Sequence, residues 1–211
     1  MPEKFDAIKV WDRILEGDLT LFMAVPTIYQ KLLEEFDRRT DVERARFSEM
    51  AAKLRLMVCG SAALPDAVFY KWHSVTGHYL LERYGMTEIG MALSNPLRGP
   101  RLAGYVGTAL PGVQVKMSSD GSGELLVKGP SVFSEYWRRP QETVKEFDAN
   151  DFFKTGDIVQ YNTELNSYAI RGRASVDIIK VFFKKSVFFK MYNDPLYIYS
   201  TCFIIMVSII L

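Results

Sequence analysis

Apolar positions in the first hundred residues alternate between helical and strand spacing, and each change of period marks an element. Val10, Trp11, Ile14 and Leu15 share one helix face, and Gly17 follows as a stop. Residues 19–25 (LTLFMAV) form a continuous apolar run, the pattern of a strand buried on both faces, ended by Pro26. Ile28, Leu32, Leu33 and Phe36 return to helical spacing, and residues 41–53 predict a charged helix. Residues 54–59 (LRLMVC) predict a second buried strand, and residues 60–64 (GSAAL) a turn. Pro65 suits the first turn of a helix reaching about Val75, Gly77 closes it, and residues 78–84 predict a third strand. Strand, helix and strand in this rhythm predict a parallel sheet with right-handed crossovers.

The pattern changes after about Asn95, where Gly99, Pro100, Gly104, Gly107, Pro111 and Gly112 punctuate the chain. Residues 113–117 and 124–128 read as strands around a turn at 118–123 (SSDGSG). Residues 158–161 and 168–171 make a second such pair. The expected class is therefore α/β: a mostly parallel sheet with flanking helices over 1–98, then a small antiparallel β subdomain or barrel over 99–170. Neither repeats nor low-complexity segments interrupt it.

At 211 residues, with 48% apolar content, the chain is long enough to bury a sizeable core. Its formal charge of +1 offers no general attraction to nucleic acid or to anionic membranes. Cys59 and Cys202 match neither a metal spacing nor a disulfide framework, and Cys59 reads as a small buried residue. Residues 1–10 have neither a signal-peptide core nor transit-peptide composition. Residues 181–211 turn abruptly to Phe, Ile, Tyr and Lys. Within them 196–211 is a nearly charge-free run, slightly short of the ~20 residues of a spanning helix. It reads as an aberrant extension, with membrane contact expected only if it inserts.

In an open parallel sheet, ligands bind where loops leave the carboxyl ends of the strands. The second predicted strand ends in Gly60, Ser61, Ala62 and Ala63, small enough for a flat ligand to approach the backbone. The third ends in Tyr84, Gly85, Met86, Thr87 and Glu88: an aromatic face, a hydroxyl and a carboxylate, suited to a base, a phosphate oxygen and Mg²⁺. Leaving one sheet edge, the two loops are expected to share a pocket. Taken singly, they also read as an ordinary tight turn and a solvated charge. His73 and His78 read as structural, and Arg138–Arg139 as a solvated loop.

The run Tyr84–Glu88 (YGMTE) resembles the adenine- and phosphate-binding motif of the adenylate-forming superfamily, which includes acyl-CoA synthetases, luciferases and peptide-synthetase adenylation domains. Residues 154–157 (KTGD) resemble that family's ribose motif, about 70 residues further on. Residues 171–173 (RGR) and 177–180 (DIIK) resemble the start of its hinge, and 60–64 occupy the place of its adenine-contacting loop. The resemblance covers residues 20–180 and implies part of the family's N-terminal domain. It implies that Tyr84 stacks on adenine, with the backbone of Gly60, Ser61, Ala62 and Ala63, and of Gly85 and Met86, along the nucleotide. Thr87 then bonds the α-phosphate, Glu88 coordinates Mg²⁺, Asp157 accepts from the ribose hydroxyls and Arg173 lies beside the ribose or phosphate. The implied reaction forms an acyl-adenylate from ATP and a carboxylate, then transfers the acyl group to coenzyme A.

The wider stretch 81–88 (LERYGMTE) resembles malonyl-CoA synthetases, including the mitochondrial animal enzyme. Arg83 offers a planar, permanent charge to a second carboxylate, as malonate or methylmalonate presents; the alternative is a structural ion pair. Val25 and Pro26, within 24–29 (AVPTIY), resemble the wall of the acyl pocket. The family's lysine-ended phosphate loop and its C-terminal domain with the catalytic lysine are not recognised in this sequence. The chain is therefore expected to be a fragment that is inactive alone. A truncated regulatory product with a membrane-seeking tail and a ligase using a non-CoA acceptor are the alternatives. Mitochondrial localisation follows from the resemblance alone.

Overall fold

The computed structural model describes residues 5–174. The hinge residues 177–180 and the apolar tail 181–211 lie outside the described residues. The chain divides into two compact units, one comprising residues up to 83 together with 95–105, the other 84–94 together with residues from 106 onward.

In the first unit α1 (Ala7–Leu15), β1 (Leu21–Ala24), α2 (Pro26–Asp37), α3 (Asp41–Ala52), β2 (Leu56–Cys59) and α4 (Asp66–Thr76) lead into β3 (Leu81–Met86). β1 and β2 pair in parallel with Ala24 opposite Cys59, and β2 continues to β3 with Cys59 opposite Glu82. Helices connect the paired strands, as parallel pairing requires. The apolar stripes of the helices converge on Trp11, Tyr29, Leu32 and Trp72, all fully buried. Trp11 stacks on Phe47 with ring centroids 4.7 Å apart, and Tyr29 meets Trp72 edge-on at 4.8 Å. The polar ends of these aromatics stay satisfied: Trp11 Nε1 donates to the Leu32 carbonyl at 3.0 Å and Tyr29 Oη to that of Val58 at 2.8 Å.

Local chemistry sets the boundaries. Asp6 caps α1, and a reciprocal pair, Thr40 with Glu43, caps α3. Pro26 does more than end β1, because it opens α2, where its missing N–H costs nothing. Pro65 stands just ahead of α4, one position earlier than expected. Gly77 adopts φ +75°, a left-handed cap whose N–H bonds the His73 carbonyl at 2.8 Å.

In the second unit residues 84–86 of β3 reverse through the turn 87–89 into β4 (Gly90–Ser94), which pairs antiparallel with β5 (Thr108–Ala109). β6 (Gln114–Met117), β7 (Ser122–Lys128), β8 (Phe153–Asn162) and β9 (Ser167–Arg173) form an antiparallel sheet in that order, with α5 (Pro140–Lys145) between β7 and β8 in the chain. Ile89, Leu93, Leu125, Val127, Phe153 and Val159 form its core. Trp137, by contrast, is 81% exposed. No helix among the described residues is long and apolar enough to cross a membrane.

Candidate functional site

In the first unit, the loop after β2 carries Gly60, Ser61, Ala62 and Ala63. Its three residues 61–63 are exposed, and Ser61 takes φ +67°, a backbone form unusual for a residue with a side chain. A Cβ on Gly60 would stand 3.2 Å from the Arg83 carbonyl oxygen, so the loop lies close against β3. The Arg83 guanidinium meets the Met23 sulfur at 3.3 Å, and among the described residues it enters no ion pair. Val25 and Pro26 sit where β1 passes into α2, Val25 half-buried and Pro26 buried.

The neighbouring Glu82 was not singled out by any sequence pattern, yet it is the most unusual charge of this unit. Its side chain is 5% exposed, and Oε1 has no hydrogen-bond partner among the described residues. Burial pushes its carboxyl up to about 8; the Leu64 N–H opposes that rise, while the charge of Asp66 adds to it.

The second unit brings together residues far apart in sequence. Tyr84 Oη donates to Asp157 Oδ2 at 2.6 Å, and Arg173 Nε donates to Asp157 Oδ1 at 2.9 Å. Asp157 and Arg173 face each other across the β8–β9 pair, which explains how the carboxylate finds its cation. Asp157 is nearly buried, and its own N–H is anchored on Thr155 Oγ1 at 3.1 Å. Thr155 in turn donates to the Leu125 carbonyl at 2.8 Å. The Tyr84 hydroxyl is held far above the usual phenol range, first by burial and then by the charge of Asp157, so it keeps its proton and can donate it to the carboxylate. A carboxylate offers about four lone-pair sites, so Asp157 keeps acceptor capacity beyond the two donors it already holds.

Gly85 and Met86 lie within β3, and Gly85 is fixed by space. A Cβ there would stand 2.1 Å from the Gly90 carbonyl oxygen and 2.9 Å from Met91 Cα. No residue with a side chain fits this turn without moving its backbone. Thr87 is exposed at the turn, and Glu88 is half-buried beside it. Glu88 Oε1 accepts from Tyr136 Oη at 3.0 Å, a partner that sequence spacing gave no means of finding, since 48 residues separate the two. The described residues contain no cluster of three metal-ligating side chains. Mg²⁺ bound together with phosphates needs only one or two carboxylates, and Glu88 fits that lesser part.

The AMP-binding enzyme family matches residues 1–137. Malonate–CoA ligase ACSF3, mitochondrial, from Bos taurus is 48% identical over 85% of this chain and 36% of its own length. A solved malonyl-CoA ligase in a ternary product complex with methylmalonyl-CoA and AMP has TM-score 0.71 at 35% identity, covering 81% of this chain and 37% of that one. ATP-bound MatB from Rhodopseudomonas palustris has TM-score 0.70 at 38% identity, covering 81% of this chain and 33% of that one. The chain spans about a third of the length of the curated relatives it matches.

Proposed function

Because the chain belongs to the AMP-binding enzyme family, we propose that it carries the nucleotide site and acid-selecting residues of an AMP-forming ligase that joins malonate or methylmalonate to coenzyme A. The observation that carries this reading is the Tyr84–Asp157–Arg173 linkage, which fixes an aromatic ring and an acidic acceptor with spare lone pairs in one hydrogen-bonded group.

Asp157 accepts from the ribose hydroxyls, with Arg173 beside it, and Tyr84 offers its ring to adenine. The small residues Gly60, Ser61, Ala62 and Ala63 admit the base edge to the backbone, while Gly85 and Met86 carry the chain into the phosphate turn. Thr87 donates its hydroxyl to the α-phosphate. Glu88 supplies one carboxylate to Mg²⁺, which when bound neutralises phosphate charge. The acid substrate brings its own nucleophilic carboxylate, so these side chains hold and orient rather than abstract a proton. Arg83 holds the second carboxylate of the dicarboxylic acid, and Val25 and Pro26 wall the acyl pocket. Coenzyme A as acceptor and a mitochondrial setting rest on the relatives named above.

The acid assignment is tested by Arg83→Gly. With AMP present, the wild-type chain should bind malonate in preference to acetate in an NMR titration. The variant should lose about 30-fold of that preference, the loss of one charge-assisted pair. An unchanged ratio would remove Arg83 from the acid site. The 211 residues taken alone bind nucleotide without completing ligation, because no lysine-ended phosphate loop or catalytic lysine is recognised in them. Malonyl-CoA released by purified chain from ATP, Mg²⁺, malonate and coenzyme A would overturn that part.

A further inference from the structure

One loop of the second unit holds the turn that carries Thr87 and Glu88 at three points. Ser131 Oγ donates to the Ile89 carbonyl at 2.8 Å, the Phe133 N–H donates to the Glu88 carbonyl at 2.7 Å, and Tyr136 Oη donates to Glu88 Oε1 at 3.0 Å. The first two bonds fix the backbone of the turn. The third reaches the carboxylate itself. We propose that Tyr136 is a positioning residue for Glu88: its phenol pins one carboxylate oxygen and so aims the other at a divalent cation carried by the nucleotide phosphates. This rests on the reading of Glu88 given above.

Tyr136 is built to hold a fixed position. Its N–H donates to Thr143 Oγ1 at 2.9 Å, and Thr143, 7% exposed on α5, donates to the Arg139 carbonyl at 2.9 Å. Its ring lies 4.7 Å from that of Phe133, which meets Phe153 edge-on at 5.5 Å and stacks with Phe147 at 5.9 Å. The phenol therefore projects from an aromatic cluster of the core, while Glu88 hangs from a half-buried turn with several side-chain torsions of its own. A rigid donor against a flexible acceptor lowers the rotamer freedom the carboxylate must lose when it meets a cation. A single hydrogen bond leaves the anionic charge in place, and partners of this kind typically contribute 10–100-fold to metal affinity.

Tyr136→Phe removes the hydroxyl and keeps the ring in its cluster. Binding of Mn²⁺–ATP to the 211-residue chain, followed by water-proton relaxation, is compared for wild type, Tyr136→Phe and Glu88→Gln, with metal-free AMP binding as the control. Tyr136→Phe is expected to weaken Mn²⁺–ATP by about 10-fold and leave AMP unchanged. If Glu88→Gln weakens Mn²⁺–ATP and Tyr136→Phe does not, the positioning role is overturned and the Glu88 reading stands. If neither variant alters Mn²⁺–ATP, the Glu88 reading falls and takes the proposal with it. If Tyr136→Phe weakens AMP as much as Mn²⁺–ATP, the hydroxyl serves the fold of the turn rather than the cation, and the proposal is likewise overturned.

Discussion

Asp157→Ala is expected to weaken AMP binding by on the order of 100-fold while leaving binding of free adenine almost unchanged. Two ribose hydroxyls donating to one carboxylate are charge-assisted bonds, each contributing about 1.5–3 kcal/mol. Their loss alone reaches the stated factor even if the ribose recovers part of it through water. The variant also leaves the Tyr84 hydroxyl and the Arg173 Nε–H without their acceptor, loosening the ring offered to the base. Asp157→Asn should not rescue binding. Its amide carries one acceptor oxygen where the carboxylate carries two, so Arg173 Nε and the ribose hydroxyls compete for it, and the misfit is worse because the site is nearly buried. Calorimetric titration with AMP and with adenine separates the outcomes. Equal AMP affinity in wild type and Asp157→Ala would detach Asp157 from the ribose.

Glu82 should make the stability of the chain fall as pH rises through the neutral range. Its folded carboxyl is pushed from 4.5 up to about 8, so between those values the native state keeps a proton that the unfolded state has released. Stability then declines by at most about 1.4 kcal/mol per pH unit across the window and levels off above the folded value. The Leu64 N–H favours the charged form, whereas burial and Asp66 favour the neutral one, and burial is the largest influence. Half-buried His78 works the other way: partial burial lowers it below 6.5, so its contribution rises with pH up to that value. The discriminating quantity is therefore the difference between wild type and Glu82→Gln. Glutamine can still accept from Leu64 and carries no titrating proton. In urea melts, Glu82→Gln should gain on wild type by about 3 kcal/mol between pH 5 and pH 8. Parallel stability curves over that range would sink the idea.

The fold was legible where composition and period agreed. The apolar runs before Pro26 and Gly60 became β1 and β2, and the spacing of Ile28, Leu32, Leu33 and Phe36 became α2, because burial on both faces of a parallel strand and on one stripe of a helix leave different patterns. The strand expected over 78–84 starts at Leu81 and runs through Tyr84 to Met86. Gly85 hid that continuation: glycine reads as a loop residue, yet here it is demanded by the close approach of β4. β4 itself (GMALS) contains no β-branched residue and gave no strand signal. The KTGD segment, read as a motif, lies inside β8, and β9 sets Arg173 opposite Asp157.

Site chemistry was legible as far as residue type and motif spacing reach. Residue types after the third predicted strand pointed to Tyr84 and Glu88, the family resemblance pointed to Asp157, and the structure joins Tyr84 to Asp157 directly. Neither Tyr136 nor the burial of Glu82 was visible, since both depend on tertiary packing. The sequence sets Glu82 beside Arg83 without showing which of the two is buried. In the first unit, Glu82 is instead withdrawn beside Leu64, and Arg83 lies against Met23.

The placement of the three tryptophans carries an optical consequence. Trp11 and Trp72 are sealed in the first unit, whereas Trp137 of the second is already in water. Indole emission moves to longer wavelength when a ring passes from an apolar core into solvent, so the spectral shift on melting is dominated by the first unit. The Glu82 experiment therefore has an intrinsic reporter in its own unit. Loss of order around Asp157 and Glu88 would be nearly dark in the same trace, and needs a bound nucleotide or the tyrosines to be seen.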